Sequence, residues 1–172
     1  MKQSCIQVYT GNGKGKTTAA IGLAIRAAGH GLHVCIIQFM KGKPYGEHAI
    51  LNTINQIEIH PVGTEDCIRK EDVTQKHIDA AQAGFNLAKE KMASKKYDVI
   101  ILDEINVSLW FNLLKLTDVL NLLDAKPAGT ELVLTGRYAP EEIIKKADMV
   151  TSMEAMKHPY DKGIEARKGI EY

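Results

Sequence analysis

The stretch Thr10-Gly11-Asn12-Gly13-Lys14-Gly15-Lys16-Thr17-Thr18 constrains this chain more than any other. It sits between an apolar run, Cys5-Ile6-Gln7-Val8-Tyr9, and an alanine- and leucine-rich segment from Lys16 to Ala28 that lacks proline and closes on Gly29 and Gly31. Strand, glycine-rich turn and helix form the context that a phosphate-binding loop requires. The glycines let the backbone turn its N–H groups inward around anionic oxygens, and the helix that follows adds the positive end of its dipole. Gly11, Asn12, Gly13, Lys14, Gly15, Lys16, Thr17 and Thr18 are therefore the candidate nucleotide-binding residues. Lys16 is expected to reach the phosphates and the Thr17 hydroxyl to face Mg²⁺, with ATP as the expected nucleotide. One position departs from the general motif: Thr10 stands where the pattern begins with glycine.

Downstream, short runs rich in β-branched residues alternate with longer helical patterns. Strands are predicted at residues 34–39, 57–60, 98–102, 131–134 and 149–150. The longest helix is predicted from about Thr74 to Ser94, with Ile78, Ala81, Phe85, Ala88 and Met92 along one face. A chain of 172 residues, 45% apolar and 25% charged, can bury its own core without disulfide or metal staples. The fold class expected is α/β: a single P-loop NTPase-like domain over residues 1–172, with a mostly parallel sheet of about six strands and helices on both faces.

In such sheets ligands bind beyond the carboxyl ends of the strands. Val99-Ile100-Ile101-Leu102 ends there in Asp103 and Glu104, carboxylates suited to a hard cation beside a polyphosphate. Thr17, Asp103 and Glu104 are the candidate metal ligands. Lys41, after the second strand, and Arg137, after the fifth, are candidates to neutralise the polyphosphate together with Lys16. A net charge of +1 offers no general attraction to nucleic acid or anionic membrane, so neither is an expected partner. No apolar run approaches the roughly 18 residues of a membrane span and the amino terminus shows no signal-peptide pattern, so cytoplasm is the expected compartment. The cysteines, Cys5, Cys35 and Cys67, form no metal or disulfide pattern, and Cys5 and Cys35 are expected in the core. His30, His33, His48, His60 and His77 are expected to be ordinary structural or surface residues. Gly163 and Gly169, beyond Lys157-His158-Pro159-Tyr160, suggest a tail laid as a loop across the domain. Trp110 and Phe111 could touch a flat ligand, but core packing is the expectation.

A phosphate-binding loop alone serves kinases, ATPases, GTPases and transferases alike. The guanine-reading Asn-Lys-x-Asp pattern is absent. Further blocks narrow the choice: Gln-Phe-Met-Lys-Gly at 38–42, Asp-Glu-Ile-Asn at 103–106, Leu-Thr-Gly-Arg at 134–137, Ala-Asp-Met-Val at 147–150, and Lys-His-Pro-Tyr followed by Gly-Ile-Glu-Ala and Gly-Ile-Glu-Tyr. With the loop, these span almost the whole chain, which resembles the P-loop type of ATP:corrinoid adenosyltransferase.

That resemblance implies a reaction in which reduced cobalt, in cob(I)alamin or a cobinamide-type corrinoid, attacks C5′ of ATP and expels triphosphate. It implies ATP held in the reverse sense along the loop compared with kinases, Mg²⁺ ligated by Thr17 and Glu104 with Asp103 beside them, and phosphate or corrinoid contacts from Lys41 and Arg137. It also implies an external electron donor such as a flavoprotein, and a homodimer. Charge stabilisation, not a protein nucleophile, would carry catalysis. A phosphotransferase or ATPase on the same loop, and a non-enzymatic nucleotide or corrinoid binder, are the competing readings. Two departures from the family pattern stand out. Many members carry an amino-terminal lid, whereas this chain starts just before its first strand. Many also have a Gly-Phe-Thr-Trp-like stretch, where this chain reads Gly63-Thr64-Glu65-Asp66-Cys67-Ile68.

Overall fold

A computed structural model describes residues 3–43, 45–64 and 69–171. Six strands form one parallel sheet: β1 (Ile6–Thr10), β2 (Val34–Gln38), β3 (Ile57–Pro61), β4 (Val99–Asp103), β5 (Glu131–Thr135) and β6 (Met149–Ser152), in the order β3-β2-β4-β5-β1-β6. The six predicted strands are all present, each within a residue or two of its expected bounds. Among the described residues six α-helices connect or flank them: α1 (Lys16–Gly29), α2 (Gly46–Leu51), α3 (Gln75–Ala93), α4 (Ile105–Trp110), α5 (Leu116–Asp124) and α6 (Glu141–Lys146).

The alternation of side chains along a strand divides the core into two layers. Val8, Cys35, Ile37, Ile100, Leu102, Leu132 and Leu134 point to one face, where they pack with residues of α3, α4, α5 and α6. Tyr9, Val34, Ile36, Val99, Ile101 and Val133 point to the other, against α1 and Leu51 of α2. Every residue of β2 and β4 is buried, as expected of central parallel strands covered on both faces. The alanines Ala20, Ala24, Ala27 and Ala28 let α1 approach the sheet closely, which anchors the loop that precedes it. In α3 the predicted stripe is the observed one: Ala81, Phe85, Ala88 and Met92 are buried and Ile78 is partly so.

Two core expectations need correction. Cys5 is exposed, because it precedes β1 instead of lying in it, while Cys35 is buried in β2; both are free thiols. Trp110 ends α4 at the surface, 39% exposed, and stacks on Tyr138 with ring centroids 4.5 Å apart. A helix of six residues carries Ile105 and Leu109 into the core and turns the tryptophan outward. Cys67 and most of the 63–68 departure lie outside the described residues. No helix among the described residues is long and apolar enough to cross a membrane.

Candidate active site

Because all six strands run the same way, the ends of β1, β2, β4 and β5 deliver their polar residues to one edge of the sheet. Thr10 is the last residue of β1 and pairs with Ser152. It is extended strand, not turn, so the position has no need of glycine. The chain turns at Gly11 (φ 91°) and Gly15 (φ 118°), left-handed conformations that favour glycine. A neighbour that the sequence did not announce also presses on the loop. The Gly13 N–H donates to Met153 O at 2.7 Å, and a Cβ at Gly13 would lie 2.8 Å from the backbone of Glu154. The extension of β6 thus clamps the loop from the side.

Lys16 opens α1 and is buried, with Nζ donating to Gly11 O at 2.8 Å and Gly13 O at 2.6 Å. Its ammonium lies inside the curl of the loop. Burial is the largest influence on it and lowers its pKa; Arg137 pushes the same way, while Glu104 and Asp103 oppose. Thr17 Oγ1 donates to Asp103 Oδ1 at 2.8 Å, and Thr135 Oγ1 donates to the same oxygen at 2.7 Å. On the other side, Asp103 Oδ2 receives Gln38 Nε2 at 3.1 Å and Lys41 Nζ at 3.3 Å. Four donors fill the acceptor positions of a carboxylate that is 1% exposed. Asp103 is therefore an organiser of Thr17 and Lys41 as it stands.

Glu104 differs. It takes a left-handed conformation (φ 61°) at the start of α4, with its N–H donated to Thr135 Oγ1 at 2.9 Å. Burial, and then the charge of Asp103, raise its pKa. Its side chain lines an open cleft of about 780 Å³. Gly13 to Thr18, Lys41, Glu47 and Arg137 line the same cleft, as do Ile170 and Glu171 of the tail. The tail does lie across the loop: Lys14 Nζ donates to Ile170 O at 2.9 Å and pairs with Glu171 at 3.0 Å.

Sequence reasoning missed α2. Its carboxylate, Glu47, pairs with Lys41 at 3.3 Å and receives Gln38 Nε2 at 3.3 Å. Burial alone would depress Lys41, but Asp103 and Glu47 outweigh it and raise its pKa. His48, expected to be ordinary, is buried at 7% exposure and hydrogen-bonds Gln38 Oε1 through Nε2. Burial lowers its pKa, so the ring is neutral at pH 7. No pattern in the sequence announced this turn, since the Lys41–Glu47 pair closes only once the chain has folded back on itself.

The donors around the cleft suit Mg²⁺. Among the described residues no group of three or more His, Cys, Asp or Glu side chains forms a ready-made cage. Thr17 and Glu104 line one cleft beside the glycine-rich loop, and a hydroxyl and a carboxylate are oxygen donors of the kind that could hold Mg²⁺ together with phosphate.

Residues 2–172 match the family model described as ATP:corrinoid adenosyltransferase BtuR/CobO/CobP. A corrinoid adenosyltransferase of Pseudomonas aeruginosa is 36% identical over 173 residues, covering 99% of this chain and 85% of that one. The corrinoid adenosyltransferase CobA of Salmonella typhimurium is 36% identical over 176 residues, covering 99% and 87%. A solved structure of a prototypical ATPase from the type III secretion system of pathogenic bacteria aligns with 95% of this chain at a TM-score of 0.43 and 14% identity, and the chain spans 49% of it.

Proposed function

The chain belongs to the ATP:corrinoid adenosyltransferase family and is a transferase, and from that premise we propose that its cleft binds MgATP along the loop and passes the 5′-deoxyadenosyl group to the cobalt(I) of cob(I)alamin or a cobinamide-type corrinoid, releasing triphosphate. One observation carries the assignment of the site: Lys16, Lys41 and Arg137 line a single cleft with the loop and Glu104. In the transfer, the cobalt(I) electron pair forms the bond to C5′ while the C5′–O bond breaks and its pair leaves with triphosphate. Negative charge grows on the leaving group, so preorganised donors there lower the barrier.

The loop N–H groups and Lys16 bind the phosphates, and Arg137 reaches them from the end of β5. Lys41, held by Asp103 and Glu47, presents its charge without having to be ordered during the reaction. Gly11, Asn12, Gly13, Lys14, Gly15 and Thr18 complete the nucleotide contacts. Thr17 and Glu104 are the proposed Mg²⁺ ligands, with Asp103 behind Thr17 holding its hydroxyl. Mg²⁺, when bound, supplies further neutralisation of phosphate charge. No protein nucleophile is required, because cobalt(I) is one itself.

In this reading residues 1–172 act as one nucleotide-binding domain, and the protein is a cytoplasmic homodimer. An external electron donor such as a flavoprotein brings cobalt to the reactive state. The phosphate product tests the assignment: triphosphate is expected from MgATP and reduced corrinoid, whereas ADP with inorganic phosphate would replace this reading by a phosphotransferase or ATPase.

A further inference from the structure

Behind the cleft lies a run of hydrogen bonds whose donor sense is fixed at both ends. At the outer end the Tyr45 backbone N–H, which can only donate, meets His48 Nδ1 at 3.1 Å. That nitrogen must therefore present its lone pair, and the neutral ring carries its proton on Nε2. Nε2 faces Gln38 Oε1. The Gln38 amide consequently turns its Nε2 toward Asp103 Oδ2 at 3.1 Å and Glu47 Oε1 at 3.3 Å, two carboxylate oxygens that can only accept. Gln38 is fully buried, so no water can substitute for a misplaced partner. If the amide were reversed, its oxygen would face both carboxylates and its NH₂ group would face the His48 N–H.

We propose that His48 is a positioning residue for the phosphate end of the site: its Nε2–H tautomer, set by the start of α2, orients the Gln38 amide and through it fixes Asp103, Glu47 and the Lys41 ammonium between them. The inference rests on the assignment of the cleft as the ATP site. It gives α2 a definite part in nucleotide binding although His48 itself does not line the cleft.

The two amide replacements of histidine separate this role from simple capping of α2. In His48→Gln the side-chain NH₂ can still donate to Gln38 Oε1, while the acceptor for Tyr45 N–H is lost. In His48→Asn the acceptor is kept and the donor to Gln38 is lost. Calorimetric titration of the full chain with MgATP is expected to show a Kd about tenfold weaker than wild type for His48→Asn, the weight of one hydrogen bond in a charged network, and within about threefold of wild type for His48→Gln. Equal affinities in the two variants, or the weaker binding in His48→Gln, would overturn the proposal. A second measurement needs no variant. Nitrogen chemical shifts of the wild-type His48 ring at pH 7.5 are expected to report the Nε2–H tautomer, and the Nδ1–H tautomer or an imidazolium would refute the relay. Failure of the wild type to bind MgATP at all would instead sink the assignment of the site, while the ring shifts would still report on the relay.

Discussion

Replacing Asp103 by asparagine removes one charge without changing the shape of the side chain, and the structure sets the size of the effect. The carboxylate is 1% exposed and receives Thr17 and Thr135 on Oδ1 and Gln38 and Lys41 on Oδ2. An amide can satisfy only part of this. With its NH₂ toward the Oδ2 side it confronts the Gln38 amide and the Lys41 ammonium. With its NH₂ toward the Oδ1 side it meets two hydroxyls, one of which already accepts from Glu104 N, and it leaves a neutral oxygen against Lys41. Either orientation strips the Lys41 ammonium, whose side chain is 12% exposed at the cleft, of one of two counter-charges, Glu47 being the other. Complete breakage of a buried pair costs about 3–5 kcal/mol, so partial breakage should cost about 2–3 kcal/mol. For a chain of this length that corresponds to a midpoint about 4–12 °C lower in thermal unfolding of the nucleotide-free protein at pH 7. A shift below about 2 °C would refute the view of Asp103 as the hub of this network.

Lys16→Ala should lower kcat/KM by at least about 10²-fold, with the circular dichroism spectrum unchanged, because among the described residues the side chain hydrogen-bonds to the loop carbonyls of Gly11 and Gly13; activity within a few-fold of wild type would remove it from the phosphate site. Glu104→Gln should move the midpoint of a Mg²⁺ titration of activity upward by at least about tenfold, and an unmoved midpoint would exclude Glu104 as a ligand. Away from the site, burial tends to raise the Glu58 carboxyl, but hydrogen bonds from Lys91, Tyr97 and His60 outweigh it and hold the pKa at about 2 against the usual 4.5. A depressed carboxylate stabilises the fold above its unfolded pKa and loses that contribution as pH falls from 4.5 toward 2. With the side chain 40% exposed the contribution is discounted to about 1 kcal/mol, and Glu58→Gln should flatten the acid limb of a stability–pH curve by that amount; an identical limb would contradict it.

The parts of this molecule that were legible in the sequence are those dictated by local pattern. Glycine spacing and the following helix marked the loop, unbroken apolar runs marked β2 and β4, and the spacing from Ala81 to Met92 marked the buried face of α3. The parallel sheet then made the strand ends converge, which brought Lys41, Asp103, Glu104 and Arg137 together. Features that depend on contacts between distant segments were not legible. The six residues of α2 are too short to form a helix on propensity, so only packing through Leu51 and His48 reveals it. Met153 against Gly13 joins positions at opposite ends of the chain. Trp110 carried no sign of facing outward, because its stacking partner, Tyr138, comes from the loop after β5.

The proposed transfer of the adenosyl group of ATP to cobalt in this cleft has an optical signature. An anaerobic reaction of the protein with chemically reduced cob(I)alamin and MgATP, followed by absorbance and then by illumination, tests it most directly. Formation of a photolabile cobalt–carbon product is the expected result. Nucleotide binding with no such product would contradict the account.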